Sequence, residues 1–183
     1  MNLNDVFTRH HQRDLETSGR ATFSQCESYR YELVITWNSN FPRVAVIGLN
    51  PSTANEREND PTITRLERWA RRNGFGSLGM FNAYAFRSTD PRGMKKATDP
   101  IGPVNDSFLL YAAHSSDLVI YAWGTNIDRC REECITEMLC GSCTPHAFKI
   151  TKNGHPSHPL YLSDKTLDSY CEYKFRAAIG VPQ

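Results

Sequence analysis

Residues 44–52 have the sequence VAVIGLNPS, in which a continuous apolar run, Val44–Leu49, is followed by Asn-Pro-Ser. An apolar run of this length is typical of a strand that is buried on both faces of a parallel sheet. Asn-Pro directly after such a run favours a turn. The sequence therefore predicts a central strand whose carboxyl end opens into a polar loop.

Strands and helices alternate on either side of this run. Enrichment in β-branched and aromatic residues predicts further strands at 29–37, 78–82, 118–123 and 147–150. Apolar residues at helical spacing predict helices at 62–73, 104–114, 126–139 and 164–179, the last one stopped by Gly180. The alternation implies βαβ units, so we expect the α/β class, with a central, mostly parallel sheet covered on both faces in a three-layer αβα sandwich.

The chain of 183 residues has the length of one domain. Residues 1–20 are polar, so we expect a tail or a short helix there, followed by a single α/β domain at 21–183. With 39% hydrophobic and 22% charged residues, the composition excludes a disordered or fibrous protein.

Two features of the sequence bear on location. The longest apolar runs are far shorter than the roughly 18 residues that a membrane helix needs, so we expect no membrane partner. The first residues, MNLNDVFTRHHQRD, contain no apolar stretch of the kind found in export signals. We therefore expect a cytoplasmic protein.

Charge is concentrated in one segment of a chain whose net charge is only +1. Between Arg65 and Lys96 there are eight basic residues against two acidic ones. Such a segment is typical either of a surface that follows phosphates or of a solvated helix face. Both interpretations stay open on charge alone.

Four of the six cysteines cluster along the chain, at Cys130, Cys134, Cys140 and Cys143. The i, i+4 pair and the Cys-x-x-Cys pair could bind a metal, although the overall spacing is irregular for zinc modules. Ordinary buried thiols are the alternative that we favour. We accordingly predict neither a metal nor a cofactor.

Ligands of open α/β sheets bind outside the carboxyl ends of the strands. In this chain those positions hold Gly48–Ser52 after the first predicted parallel strand and Asn82 at the end of the second. Gly124 follows the third strand, and Gly154–Ser157 follows the fourth. We expect the functional site where these segments meet.

The same segments resemble motifs of the uracil-DNA glycosylase superfamily, namely VIGLNPST, LGMFNAYAFRSTDP, DLVIYAWG and GHPSHPLYLS. More closely, FSQCESYRYELVITW, GLNPSTAN and TKNGHPSHPLYL resemble a family of prokaryotic and phage proteins that is carried as a domain of unknown function. This closer resemblance covers about residues 21–163. It implies a glycosylase-like fold.

The resemblance implies hydrolysis of the N-glycosidic bond of an unusual or modified base in DNA, in repair or in defence against phages. Single-stranded and double-stranded DNA both remain open as the substrate. Two other functions remain open. One is a hydrolase or transferase that acts on a free nucleoside or nucleotide. The other is a nucleic-acid-binding module without catalysis.

Cleavage of such a bond needs a positioned water and a donor to the departing base. Asn50 could position the water, Asp60 could act as base or merely cap the following helix, and His155, or else His158, could donate to the base. We expect Asn82 to bind a base edge through its amide, unless it is a buried asparagine satisfied by its neighbours. The remaining candidates for substrate binding are Gly48, Leu49, Pro51, Ser52, Tyr84, Arg87 and Ser157, with Phe81 and Phe86 as further stacking residues and Arg92 as a further phosphate contact.

Overall fold

The computed structural model describes residues 6–175 and contains one mixed sheet flanked by helices. The strands are β1 (Val6–Gln12), β2 (Ser18–Ser24), β3 (Arg30–Thr36), β4 (Arg43–Gly48), β5 (Ser77–Asn82), β6 (Leu118–Tyr121), β7 (Pro145–Ala147) and β8 (Cys171–Glu172). The α-helices are α1 (Pro61–Arg72), α2 (Pro91–Lys95), α3 (Asn105–His114), α4 (Arg129–Met138) and α5 (Asp164–Asp168). None of these helices is long and apolar enough to cross a membrane.

The strand order is β1-β2-β3-β5-β4-β6-β7-β8. The central strand β4 is parallel to both β5 and β6, and β6 is parallel to β7. The other four pairs are antiparallel. The α/β class is therefore confirmed, but the expectation of a mostly parallel sheet is wrong, because burial patterns in the sequence carry no information on strand direction.

The amino-terminal segment contributes to the sheet. Strands β1 and β2 form an antiparallel hairpin whose register runs from Val6 opposite Ser24 to Gln12 opposite Ser18. In β1 exposed and half-buried residues alternate, so its few apolar side chains give no continuous signal. The prediction of a tail or a short helix is wrong for residues 6–20, and residues 1–5 lie outside the described part.

Most predicted elements agree with the structure to within two residues, and the exceptions lie toward the carboxyl end. The helix predicted at 126–139 begins at Arg129, and the short strand predicted at 147–150 is Pro145–Ala147, whereas the strand predicted at 118–123 ends at Tyr121 and stays within this limit. The helix predicted at 164–179 ends at Asp168 and gives way to β8. Residues 176–180 of that prediction lie outside the described part.

Helices pack on both faces of the sheet. Along β4, Val44 and Val46 face the cluster that contains residues of α1 and α5, whereas Ala45 and Ile47 face residues of α3 and α4. All four side chains are fully buried. Full burial of one aliphatic side chain stabilises a fold by about 1.5–3 kcal/mol, so this strand anchors both layers.

Helix α1 begins at the edge of the sheet where the parallel strands end. The Asp60 side chain accepts a hydrogen bond from the backbone N–H of Ile63 at 2.8 Å, and Pro61 occupies the first turn. Gly74, with φ +79°, ends the helix in a left-handed conformation. The residues that precede α1 are thereby held beside the carboxyl ends of β4 and β5.

Candidate functional site

A cleft of about 510 Å³ lies at the carboxyl ends of the parallel strands β4, β5 and β6. Its walls come from the loop after β4, the start of α1, the loop after β6 and residues 151–162. This volume falls within the range of about 300–1,000 Å³ that small-molecule sites occupy. The cleft is therefore large enough for a nucleoside-sized ligand.

Eight of the residues predicted for the site line this cleft. The other candidates do not, namely Pro51, Phe81, Tyr84, Phe86, Arg87, Arg92 and His155. The eight lining residues are Gly48, Leu49, Asn50, Ser52, Asp60, Asn82, Ser157 and His158.

Asn82 is the last residue of β5, and its side chain lies in the cleft wall with 1% of its surface exposed. Neither Oδ1 nor Nδ2 has a hydrogen-bond partner among the described residues. A buried amide without partners is costly, and most buried polar groups are satisfied. The donor and the acceptor of Asn82 therefore both lie in the cleft wall without a partner among the described residues.

Gly48 provides the space that this amide occupies. It lies opposite Asn82 in the parallel register of β4 and β5. A Cβ atom at Gly48 would lie 3.2 Å from Asn82 Oδ1 and 2.5 Å from Met80 Cε. A larger residue at this position would have to displace the end of the Met80 side chain and would press on the Asn82 amide, so glycine leaves both side chains their room.

Asn50 is oriented by the loop that follows β5. Its Nδ2 donates to the backbone oxygen of Ser88 at 2.7 Å and to that of Pro51 at 3.2 Å. Both donors of the amide are thus used, and the side-chain oxygen accepts no hydrogen bond from the described part of the chain. Such an oxygen could hold a water molecule in the cleft, as the sequence predicts.

Asp60 combines the two roles that the sequence left open. One carboxylate oxygen caps α1, as described above, while the residue also lines the cleft. The second oxygen, Oδ2, makes no hydrogen bond within residues 6–175 and remains available as an acceptor. The cap fixes the direction in which the carboxylate points.

His158 takes the position in the cleft that we expected for His155. Its Nδ1 accepts a hydrogen bond from the backbone N–H of Leu160 at 3.3 Å, so in the neutral ring the proton is on Nε2. Burial lowers the pKa of His158, and the negative charge of Asp60 opposes this shift only in part. His158 is consequently a neutral hydrogen-bond donor at neutral pH.

His155 belongs to a buried cluster behind the cleft. Its Nδ1 lies 2.7 Å from Oε2 of Glu132, a carboxylate with no exposed surface. Oε1 of Glu132 accepts hydrogen bonds from Trp123 Nε1 at 3.2 Å and from the Tyr173 hydroxyl at 2.9 Å. The prediction of His155 as the donor to a base is not supported by this placement.

The other candidates outside the cleft have structural partners. The Tyr84 hydroxyl donates to Asp128 Oδ2 at 2.7 Å, and Tyr84 is 2% exposed. Arg87 Nη1 donates to the backbone oxygen of Glu27 at 3.1 Å. Phe81 is fully buried, Phe86 packs against the core, and the exposed guanidinium of Arg92 pairs with Asp90; none of the three lines the cleft.

Among the cleft residues that sequence reasoning missed, Arg30, Trp123 and Tyr161 matter most for a ligand. Arg30, at the start of β3, lines the cleft with only 2% of its surface exposed. Trp123 contributes a buried wall, and Tyr161 lies at the rim with 84% of its surface exposed. An arginine among the aromatic residues of a predicted strand, as in YRYELVITW, was the available signal for Arg30.

The basic segment between Arg65 and Lys96 is largely neutralised. Five of its eight basic side chains pair with carboxylates, and three of these carboxylates come from outside the segment. A sum over the local sequence therefore overstates the positive charge of this surface. The pairs are Arg65–Asp164, Arg71–Glu67, Arg72–Asp168, Arg92–Asp90 and Lys95–Asp128.

The clustered cysteines are not the buried thiols that we expected. Cys130, Cys134 and Cys140 are exposed and Cys143 is partly buried, because α4 turns Arg131, Glu132 and Ile135 toward the core instead. Within residues 6–175, no group of three or more His, Cys, Asp or Glu side chains is arranged to hold a metal ion.

Comparison with known protein families gives a match over most of the chain. The model of a family described as "Protein of unknown function (DUF1643)" matches residues 30–160. This stretch contains β3 to β7 and nearly all of the cleft-lining residues. No curated protein and no solved structure matches the chain.

Proposed function

The chain belongs to the DUF1643 family, and we propose that it hydrolyses the N-glycosidic bond of an unusual or modified base in DNA. Repair, or defence against phages with modified DNA, would be the setting. The exposed ring of Tyr161 at the rim favours an unstacked base, since aromatic rings on the surface can stack on single-stranded nucleotides.

The observation that carries this proposal is the unpartnered amide of Asn82. An amide presents one acceptor and one donor side by side, which matches the alternating groups on the edge of a nucleobase. A base in the cleft would satisfy both Asn82 atoms that are otherwise left without partners. Recognition of a base thus accounts for a buried polar group that the fold alone does not explain.

The other lining residues can supply the chemistry. The free oxygen of Asn50 would hold a water molecule, and the carboxylate of Asp60 would accept its proton. The water oxygen would bond to the sugar carbon as the bond to the base breaks, and the electron pair would leave with the base. The Nε2–H of His158 would donate to the oxygen on which the negative charge develops.

A second candidate is cleavage of the same bond in a free nucleotide. The neutralised basic segment favours it, because long DNA substrates are normally bound through many exposed cations. The cleft is also deep enough to bury a cationic side chain, Arg30, below the surface. Both candidates use the same base-binding residues.

The test is a panel of labelled oligonucleotides, single- and double-stranded, that carry uracil, hypoxanthine, xanthine, oxidised and hypermodified bases. Strand breaks after alkali report base loss. We expect breaks with the wild-type protein and a loss of at least about a hundredfold in rate for Asn50→Ala and His158→Asn. Asn40→Ala and His114→Asn, which change exposed residues outside the cleft, are the matched controls.

The outcomes separate the two candidates. Base release from free nucleotides alone, with the same dependence on Asn50 and His158, would support the second candidate. Breaks that persist in both cleft variants would place the chemistry elsewhere. No base release from any oligonucleotide or nucleotide by the folded protein would refute N-glycosidic hydrolysis for these bases.

A further inference from the structure

Arg30 is a buried cation without an anionic partner. Its side chain lies in the cleft wall, where Nη1 donates to the backbone oxygen of Ala54 at 2.5 Å. Nε has no hydrogen-bond partner, and Arg30 forms no ion pair with any carboxylate of residues 6–175. Arginine is rarely buried without such a partner.

Two other buried or partly buried arginines of this protein, Arg131 and Arg20, are paired with carboxylates. Arg131, 5% exposed, lies 2.5 Å from Asp106, and Arg20 lies 3.1 Å from Glu32. Arg30 is more deeply buried than either of them, with 2% exposure. Its hydrogen-bond partner is nevertheless a neutral carbonyl oxygen and not a carboxylate. Arg30 lines the cleft, whereas Arg131 and Arg20 do not.

The charges around Arg30 do not compensate it fully. Burial lowers the pKa of Arg30 to about 10; Asp60 opposes the shift from beyond ion-pair distance, and the nearby Arg87 adds to it. The guanidinium therefore remains positive at neutral pH. Arg87 also lacks an ion pair, since its Nη1 donates to a backbone oxygen and its Nε has no partner. Arg30 thus has one carboxylate and one further cation in its surroundings, and no carboxylate pairs with it directly.

The hydrogen-bonding capacity of this wall is likewise unused. A guanidinium carries five N–H donors, and one nitrogen of Arg30 is engaged. Ser52, Thr62 and Thr89 line the same cleft, and their hydroxyls make no hydrogen bonds within the described residues. Arginine and hydroxyl donors together are the usual partners of phosphate oxygens.

We propose that Arg30 is the cation of an anion subsite within the cleft and that this subsite binds a phosphate group of the ligand. The phosphate could belong to a free nucleotide or to the backbone of a nucleic-acid strand. The subsite requires only that the cleft binds a ligand, and it holds whether or not a glycosidic bond is cleaved there.

The first experiment measures binding of inorganic phosphate by isothermal titration and by thermal unfolding. Wild type, Arg30→Met and Arg30→Lys are compared with Arg43→Met, which removes a largely buried arginine at the amino end of β4, away from the cleft. Phosphate stabilises proteins in general by exclusion from their surface. Only stabilisation at millimolar phosphate that is lost in Arg30→Met and kept in Arg43→Met counts for the subsite.

The second experiment identifies the source of the phosphate. Affinities of the wild type for nucleosides, nucleoside 5′-monophosphates and a short single-stranded oligonucleotide are measured with and without competing phosphate. We expect at least one phosphorylated ligand to bind about ten- to a hundredfold more tightly than the nucleoside, and Arg30→Met to remove this difference. Arg30→Lys, which keeps the charge, should retain part of it.

The wild-type protein alone can overturn the proposal. If phosphate neither binds at millimolar concentration nor competes with any ligand, and nucleosides bind as tightly as their phosphates, the subsite does not exist. This result stands even if Arg30→Met fails to fold because it loses its bond to Ala54. A negative result here would leave the oligonucleotide cleavage assay untouched, so the two proposals fail separately.

Discussion

Hydrogen bonds to the backbone of Asn82 fix the position from which its side chain enters the cleft wall. The Nδ2 of Asn105, a fully buried residue, donates to the backbone oxygens of Asn82 and Ala83 at 3.0 and 3.2 Å. The N–H of Ala83 donates to the backbone oxygen of Gly48 at 2.8 Å. The end of β5 is thus fixed before any ligand binds, which reduces the entropy that binding must offset.

Two buried asparagines should respond to substitution with opposite signs. Asn82→Leu removes two unsatisfied polar atoms and should raise the free energy of unfolding by about 1 kcal/mol while it abolishes base binding. Asn105→Leu removes bonds to two backbone oxygens and should lower the free energy of unfolding by about 1–3 kcal/mol. Urea unfolding at neutral pH measures both changes. A marked destabilisation by Asn82→Leu would mean that the amide is satisfied without ligand.

His158 should make stability depend on pH. Its pKa in the folded protein lies below the ordinary 6.5, because burial disfavours the charged ring. Above about pH 6.5 the ring is neutral in both states; as the pH falls further, the unfolded chain takes up a proton first, and stability decreases.

The variant His158→Asn lacks this titration. Between pH 7.5 and 5.5 it should lose less stability than the wild type, by up to about 1 kcal/mol, as measured by urea unfolding at each pH. Asparagine retains an oxygen that can accept from the Leu160 N–H. If the free energy of unfolding of the two proteins changed with pH in the same way, burial would not lower the pKa of His158.

The two His-Pro pairs show what the sequence could and could not specify at this scale. The motif places both His155 and His158 in the loop after β7, and either could face a ligand. The choice depends on Glu132, which lies on α4 and draws His155 into the interior. No local pattern reveals such a long-range partner, so the sequence predicts the loop but not the residue.

At the scale of elements, the amino-terminal hairpin braces the loop that precedes α1. Arg13 donates from Nε to the backbone oxygen of Glu56 at 2.9 Å, from Nη2 to that of Asn55 at 2.9 Å, and from Nη1 to Asn59 Oδ1 at 2.6 Å. Gly19 lies so close that a Cβ atom would be 2.0 Å from the Glu56 oxygen. The hairpin thus supports the segment that ends in Asp60.

Removal of this brace should loosen the loop selectively. In Arg13→Ala, the amides of Arg57 and Glu58 should exchange with solvent about tenfold faster, because hydrogen bonds worth about 0.5–1.5 kcal/mol each are lost. Hydrogen exchange followed by mass spectrometry measures this rate. Arg9→Ala, which removes a half-exposed pair with Glu27, should leave the loop unchanged. Equal effects of both variants would indicate general destabilisation instead.

The strength of local signals explains which elements the sequence predicted. Strand β4 is buried on both sides and α1 has both a cap and apolar residues at helical spacing, so each is specified by its own residues. The hairpin and β8 lack such local signals and form because they pair with neighbouring strands of the sheet. Helix α5 ends where the Leu167 oxygen accepts from Trp69 Nε1 at 3.1 Å, a contact with a residue far away in sequence.

At the scale of the whole molecule, ion pairs spread the positive charge of residues 65–96 over several elements. Arg65 and Arg72 of α1 pair with Asp164 and Asp168 of α5, so the charge is used to hold α5 to α1. The sequence predicts the charge of the segment correctly. It does not reveal the carboxylates that pair with Arg65 and Arg72, because these lie about a hundred residues further along the chain. A broad surface for phosphates is therefore not expected here.

This arrangement predicts a weak dependence of oligonucleotide binding on salt. For a single-stranded oligonucleotide, the logarithm of the affinity should fall against the logarithm of the salt concentration with a slope of about −2 or shallower, equivalent to about three phosphate contacts. Fluorescence anisotropy between 50 and 300 mM salt measures it. A slope steeper than about −4 would indicate that the basic segment tracks the strand after all.

The matched family region starts at residue 30, the first residue of β3, and leaves the hairpin outside. In the whole chain β2 pairs along nearly all of β3, and Leu33 and Ile35 of β3 are fully buried. A fragment cut at residue 30 would present an open, apolar edge strand, and such edges recruit strands from other copies and aggregate. A protein that keeps β3 at this position in the sheet therefore needs another segment that pairs with β3 or covers its open edge.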